Sequence, residues 1–244
     1  LKLIRNIPNG YKLFRSVSIF NNYLNDINKL RDAGEKDEER ALIAKAVKQW
    51  IDNVFDIFDV TCNIKGQENI PMDRPCVFIA NHQGYADIIV MLKAAEGKQI
   101  GFVAKDALQK LPYFGKWIKA LHGVFIQRGD AKAALRSIQV GVNELKNGYS
   151  MVIFPEGTRS HCHDMGEFKA GSFKLATKAK VPVVPVTIDG SYHMFEEREI
   201  ISSGATVNMI IHEPIETADM DRHEAAELPE RVEKIIRDGL KEFE

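Results

Sequence analysis

The chain has 244 residues, 45% of them hydrophobic and 27% charged, with a formal net charge of -1. This is enough for one sizeable α/β domain with an extra element, or two small domains. The near-neutral charge balance leaves no footprint for nucleic acid.

No stretch approaches the roughly 18 consecutive apolar residues that a spanning helix needs. The sequence opens at Leu1 rather than Met, so the absence of a span or signal peptide applies only to these residues and an upstream segment is left open. Cys62, Cys76 and Cys162 are odd in number and lack paired metal spacing, which fits reduced thiols in a cytoplasmic setting.

Leu1 to Asn25 carries Lys2, Arg5, Lys12 and Arg15 and no acidic residue, with Leu13, Phe14, Val17, Phe20 and Leu24 at helical spacing. Such a start suits an anionic membrane surface or, equally, an ordinary helix packed on the domain. The charged stretch Arg31 to Arg40 around Gly34 reads as a solvated turn. A second helix then runs from about Glu38 to Phe58, with Ile43, Val47, Trp50, Val54 and Ile57 as its apolar stripe, widened by Leu42, Ala46 and Ile51. The two helices make a hairpin.

From Asp59 onward, short apolar runs alternate with helical patterns. Expected strands are Cys76–Ala80, Ile100–Ala104, Val124–Gln127, Met151–Phe154, Val183–Ile188 and Val207–Ile211. Expected helices follow Asp87 and Asp130 and cover Lys169–Ala179 and Pro229–Lys241. In the clearest of them Asp130 is the N-cap, Leu135, Ile138, Val142 and Leu145 form the buried stripe, and Gly148 lies just beyond the end. The alternation predicts an α/β fold: a central, largely parallel or mixed sheet flanked by helices and preceded by the N-terminal helical hairpin.

The chemistry-bearing residues follow the apolar runs. His82 and Asp87 lie in Asn81-His82-Gln83-Gly84-Tyr85-Ala86-Asp87, directly after Cys76–Ala80. On one helix five residues turn through roughly 140°, so the two side chains would diverge. They meet if His82 ends the strand and Asp87 opens the next helix. Asp87 then accepts one ring N–H and leaves the other nitrogen as a base in the cleft above the strand ends. A purely structural His–Asp hydrogen bond is the plain alternative.

Phe154-Pro155-Glu156-Gly157-Thr158-Arg159-Ser160 ends the run Met151–Ile153. Its Arg159 offers a bidentate fork for phosphate, with Glu156 expected to orient Arg159 or a substrate hydroxyl; a strand-terminating turn with a surface ion pair is the alternative. Arg128 and Lys105 each end a further apolar run, so three cations and one histidine would converge on one rim of a parallel sheet.

The pair His82…Asp87, the Arg128-Gly129 segment, Glu156-Gly157-Thr158-Arg159 and Val181-Pro182-Val183-Val184-Pro185-Val186 resemble, in order and spacing, the four motifs of the glycerolipid acyltransferases, in particular the 1-acylglycerol-3-phosphate (lysophosphatidate) acyltransferase branch. The resemblance spans roughly Val60 to Pro214. It implies transfer of a fatty acyl group from acyl-CoA or acyl-carrier protein to the sn-2 hydroxyl of a lysophospholipid acceptor, giving phosphatidic acid. His82 is then the base and Asp87 its orienting partner. Arg128, Gly129, Glu156, Gly157, Thr158 and Arg159 hold the acceptor, Lys105 joins them at its phosphate, and Val183–Val186 shapes the acyl-chain site.

Residues 1–58 become a membrane-associating helical segment, 59–244 the acyltransferase domain, and the place of work the cytoplasmic face of a membrane. Two departures stand out: Gly84 replaces a frequent Ser, removing a side-chain cap, and Ala107 replaces a frequent Glu.

The mechanism expected is direct transfer in a ternary complex. There is no Gly-x-Ser-x-Gly elbow, no cofactor or metal is needed for thiol departure, and backbone N–H groups near Gly157 are candidates for the oxyanion site. Rival readings are a zinc hydrolase on His161-Cys162-His163-Asp164, which lacks specific ligand spacing, an inert lipid-binding homologue, and acylation of another lysolipid or of glycerol 3-phosphate.

Overall fold

The computed structural model describes residues 2–111, 113–127 and 131–244, with side chains from Asn6 onward and Ala131 excepted. The expected N-cap Asp130 and the Arg128-Gly129 pair lie outside the described residues.

The hairpin forms, but its first arm is broken. Helix α1 (Lys2–Asn21) and helix α2 (Leu24–Ala33) bend at Asn22–Tyr23, and helix α3 (Lys36–Phe58) returns along both. Val17, Phe20 and Ile27 from the first arm bury against Ile43, Ala46, Trp50, Ile51 and Val54 of α3. Of the same helical stripe, Val17 and Phe20 turn inward while Phe14 points outward at 57% exposure. Both indoles have partners: Trp50 Nε1 donates to Ser16 Oγ at 3.1 Å and Trp117 Nε1 to Asn21 Oδ1 at 3.0 Å.

The stretch Arg31 to Arg40 turns at Gly34 with residues 32–38 exposed, as expected, but its ends do not stay in solvent. Arg31 donates to the buried Glu39 carboxylate at 2.7 Å and to the Ala120 carbonyl at 2.8 Å. Tyr149 Oη donates to the same carboxylate at 3.2 Å. A charge leaves water only when it is paired and hydrogen-bonded, and this cluster pins the hairpin to the α/β domain.

Seven strands follow: β1 (Thr61–Lys65), β2 (Val77–Ala80), β3 (Ile100–Lys105), β4 (Val124–Ile126), β5 (Ser150–Ile153), β6 (Val183–Asp189) and β7 (Thr206–Ile211). Their order across the sheet is β1-β7-β6-β2-β5-β3-β4, with every pair parallel except β6–β7. Helices α4 (Ala86–Ala94), α5 (Phe114–Ala120), α6 (Ala131–Lys146), α7 (Lys174–Ala179) and α8 (Arg222–Leu240) complete the chain.

Successive strand residues face opposite sides. Phe78 and Ala80 therefore join the hairpin and α4 in one core, while Val77 and Ile79 join α6, α7 and α8 in the other. A fully buried β2 explains its uninterrupted apolar run.

Strand β1 and helix α5 were not expected. The strand is an edge whose residues alternate exposed and half-buried, so it lacks a continuous apolar run. The last helix starts earlier than Pro229 suggests, because Asp221 and Glu224 form a capping box that opens it at Arg222. In α6, Val142 and Leu145 are buried as expected, whereas Leu135 is 51% exposed.

Candidate active site

Strand β2 pairs in parallel with both β5 and β6, so the segments leaving these strands meet on one edge of the sheet. The ladder stops at Asn81 because its side chain bridges to the neighbouring strand: Nδ2 donates to the Ile188 carbonyl and Oδ1 accepts the Ile188 N–H, each at 2.8 Å. The two motif loops are then zipped together. Ser160 N donates to the His82 carbonyl at 2.8 Å and His161 N to the Gln83 carbonyl at 3.1 Å.

His82 and Asp87 meet as the strand-end, helix-start geometry requires. His82 Nδ1 lies 2.6 Å from Asp87 Oδ2, and that oxygen also accepts the N–H of Gln83 at 2.7 Å and of Gly84 at 3.0 Å. The Ser191 hydroxyl donates to the other oxygen, Asp87 Oδ1. The Asp87 side chain is wholly buried while that of His82 is 19% exposed. A carboxylate held by two backbone amides and a hydroxyl can only accept from the imidazole, which places the ring proton on Nδ1 and the lone pair on Nε2. The ring stacks on Phe154, centroids 4.1 Å apart. This arrangement can take a proton from a hydroxyl presented to Nε2.

Glu156 does not orient Arg159. One of its oxygens accepts the His82 N–H at 2.6 Å and the other the Gly166 N–H at 2.8 Å. Burial pushes its carboxyl pKa up, against the pull of those two N–H groups. Its observed contacts hold the base's own backbone in place. Arg159 pairs instead with Glu196, Nη1 to Oε1 at 2.7 Å, and its guanidinium carbon lies 3.6 Å from the Tyr85 ring centroid.

Gly157 adopts φ +71°, a left-handed conformation that calls for glycine. Its N–H donates to the Phe154 carbonyl at 3.1 Å, which commits that amide to the turn rather than to an oxyanion. Thr158 is exposed beside it, and Lys105 is exposed at the C-terminal end of β3. The Val183–Val186 run is covered on both faces and fully buried, so its place is the sheet core and it offers no open wall for an acyl chain.

Among the His161–Asp164 residues, His163 Nδ1 pairs with Asp189 Oδ1 at 2.8 Å. Among the described residues no group of three or more His, Cys, Asp or Glu could hold a metal ion.

Two side chains reach the site with no motif to reveal them: Ser191 and Glu196, both in the segment after β6. Gly166 adds only a backbone amide, which no side-chain pattern records.

An acyltransferase family model ("Acyltransferase") matches residues 61–189. The chloroplastic 1-acyl-sn-glycerol-3-phosphate acyltransferase of Brassica napus is 36% identical over 156 residues, covering 63% of this chain and 44% of that relative. The 1-acyl-sn-glycerol-3-phosphate acyltransferase of Saccharomyces cerevisiae is 32% identical over 184 residues, covering 74% of this chain and 60% of that relative. The chain thus spans about half the length of these curated relatives. The crystal structure of the 1-acyl-sn-glycerophosphate (LPA) acyltransferase PlsC from Thermotoga maritima superposes with a TM-score of 0.81 at 30% identity, covering 100% of this chain and 98% of that one. The chain belongs to the acyltransferase family.

Proposed function

We propose that the protein is a 1-acylglycerol-3-phosphate acyltransferase, moving a fatty acyl group from a thioester of coenzyme A or acyl-carrier protein to the sn-2 hydroxyl of lysophosphatidate. The observation that carries this reading is the His82–Asp87 contact of 2.6 Å, with the Arg159 guanidinium stacked on Tyr85 in the adjoining loop. His82 Nε2 removes the hydroxyl proton as that oxygen attacks the thioester carbonyl. The tetrahedral intermediate collapses, the C–S bond breaks, and the imidazolium returns the proton to the departing thiolate. Asp87 stabilises the transient imidazolium. Arg159, Lys105, Arg128 and the Gly129, Gly157 and Thr158 segments hold the acceptor at its phosphate end, which lowers the barrier by positioning, and Glu156 contributes by fixing the backbone that carries the base.

The protein works at the cytoplasmic face of a membrane as a peripheral or monotopic enzyme. Among the described residues no helix is long and apolar enough to cross a bilayer. Ile7, Tyr11 and Phe14 of α1 are 62%, 61% and 57% exposed, next to the exposed Lys12 and Arg15. Phe14 also meets Tyr113 edge-on at 5.7 Å, and Tyr113 and Phe114 are themselves exposed. An apolar face flanked by cations suits the acyl–headgroup boundary of an anionic bilayer.

The test is a turnover assay of the purified chain on lysolipids of different headgroup, with acyl-CoA and acyl-carrier protein as alternative donors and His82→Ala as control. Acylation of lysophosphatidate that disappears in His82→Ala is expected. Wild-type rates in that variant would remove His82 as the base, and turnover restricted to acceptors without phosphate would remove lysophosphatidate as substrate.

A further inference from the structure

The carboxylate that holds Arg159 comes from outside every motif. Glu196 follows the single turn Ser191–Met194 after β6, and its side chain is 1% exposed. Oε1 accepts from Arg159 Nη1 at 2.7 Å and from the Tyr85 N–H at 2.9 Å. Oε2 is buried and, among the described residues, has no hydrogen-bond partner. Desolvating a carboxylate so completely is costly unless something is gained by its position.

Space for it exists because residue 84 is glycine. A Cβ at Gly84 would fall 2.3 Å from Glu196 Oε2, well inside any contact distance. Tyr85 and Glu196 are the partners that restrain the guanidinium: the ring fixes its plane and the carboxylate fixes its rotation about that plane. One N–H is thereby taken by the carboxylate, and among the described residues the rest of the five-donor fork is left for other acceptors.

We propose that Glu196 is a positioning residue for the acceptor's phosphate: seated in the space left by Gly84, it holds the Arg159 guanidinium in one orientation so that its free edge meets the phosphate. This rests on the reading of Arg159 as a phosphate ligand. The carboxylate also accepts the Tyr85 N–H at the start of α4, the position where a side-chain cap at residue 84 is missing. A purely helix-capping role is therefore the competing account, and the two separate experimentally.

Acceptor KM, donor KM, kcat and Tm are measured for Glu196→Ala, Glu196→Gln and the double variant Gly84→Ser/Glu196→Ala. Losing a charge-assisted hydrogen bond to Arg159 raises the acceptor KM about tenfold in Glu196→Ala, with donor KM unchanged and kcat within about threefold. Glu196→Gln keeps a carbonyl oxygen for both donors and recovers most of the loss. Gly84→Ser in the Ala background restores a helix cap and raises Tm, but leaves the acceptor KM high.

The proposal is overturned if Glu196→Ala keeps the wild-type acceptor KM, if the double variant restores KM together with Tm, or if Glu196→Gln lowers KM below wild type, which would mark the carboxylate as a mere competitor of the phosphate. If Glu196→Ala does not fold, Glu196→Asp carries the test, since its carboxylate is one methylene short: a raised acceptor KM supports the proposal and an unchanged one overturns it. Calorimetric Kd values for a short-chain lysophosphatidate, taken without donor, read the orientation of Arg159 even if turnover fails. Failure of the acyl-transfer reading and failure of the positioning role are thus told apart.

Discussion

The rim of the sheet and the outer face of α1 solve opposite problems. At the rim, polar atoms leave water and find partners: Asp87 takes four donors and Glu156 two backbone amides. On α1, Ile7, Tyr11 and Phe14 remain in water although the same helix buries Val17 and Phe20 beneath it. The first pattern fixes one geometry, because each donor lost would leave a buried charge short of a hydrogen bond. The second leaves apolar area exposed. The difference teaches that rigidity here is built from hydrogen bonds to buried carboxylates, whereas the membrane-facing surface we propose needs only apolar area and nearby cations. The segment after β6 touches both regions: Glu196 reaches Arg159, while Asn6 and Asn9 of α1 donate to the carbonyls of Glu199 and Ile201 at 2.8 and 2.7 Å.

Breaking the rim should cost the most. His82→Ala is expected to lower kcat by on the order of 10³-fold, the usual range for a lost general base, with a circular dichroism spectrum like wild type and a lower Tm, because the buried Asp87 loses one of its four donors. Asp87→Asn keeps the side chain's shape but offers an amide N–H where acceptors are required. We expect kcat to fall on the order of 10²-fold with a lower Tm, read by steady-state kinetics and thermal melting. A variant with unchanged kcat would reduce the pair to a structural hydrogen bond.

The outer face should respond differently. Ile7→Asp/Phe14→Asp is expected to weaken binding to anionic vesicles about tenfold or more, since each apolar side chain contributes roughly 1.5–3 kcal/mol when fully buried, while activity on micellar acceptor changes little. Vesicle sedimentation checks it, and unchanged vesicle binding would assign α1 a packing role alone. The smallest effect concerns the thiols. Burial pushes the thiols of the half-buried Cys62 and the fully buried Cys76 up to about 11, so at neutral pH both stay protonated. Cys162 is exposed. A thiol-alkylating reagent should label one cysteine in the folded protein and three after denaturation, counted by mass spectrometry, with little change in activity.

The sequence shows most of this architecture where burial leaves a continuous signal. The six expected strands are present, and the signal is strongest in β2, β5 and β6, which are covered on both faces and dominated by apolar residues. Strand β1 escapes because an edge shows only Val60, Cys62 and Ile64 in alternation, and α5 because seven residues carry too little periodicity. His82 and Asp87 are legible since their partnership is local in the chain. Glu196 and Ser191 are not, because they reach the site from more than 100 residues away and pairing at that separation leaves no pattern in a single sequence. The same holds for Glu39, whose burial depends on Arg31, His122 and Tyr149 arriving from three other elements. Glu156 illustrates a subtler failure: its position next to Arg159 suggested an ion pair, yet the turn at Gly157 sends the two side chains to different partners.

The proposed chemistry depends on the tautomer of one imidazole. Nitrogen-15 chemical shifts of His82, assigned by comparison with His82→Ala, report directly which ring nitrogen carries the proton. At a pH where the ring is neutral, the proton should sit on Nδ1 against Asp87, with Nε2 bare, and should shift toward the other nitrogen in Asp87→Asn. A wild-type ring protonated on Nε2, unchanged by that substitution, would contradict it.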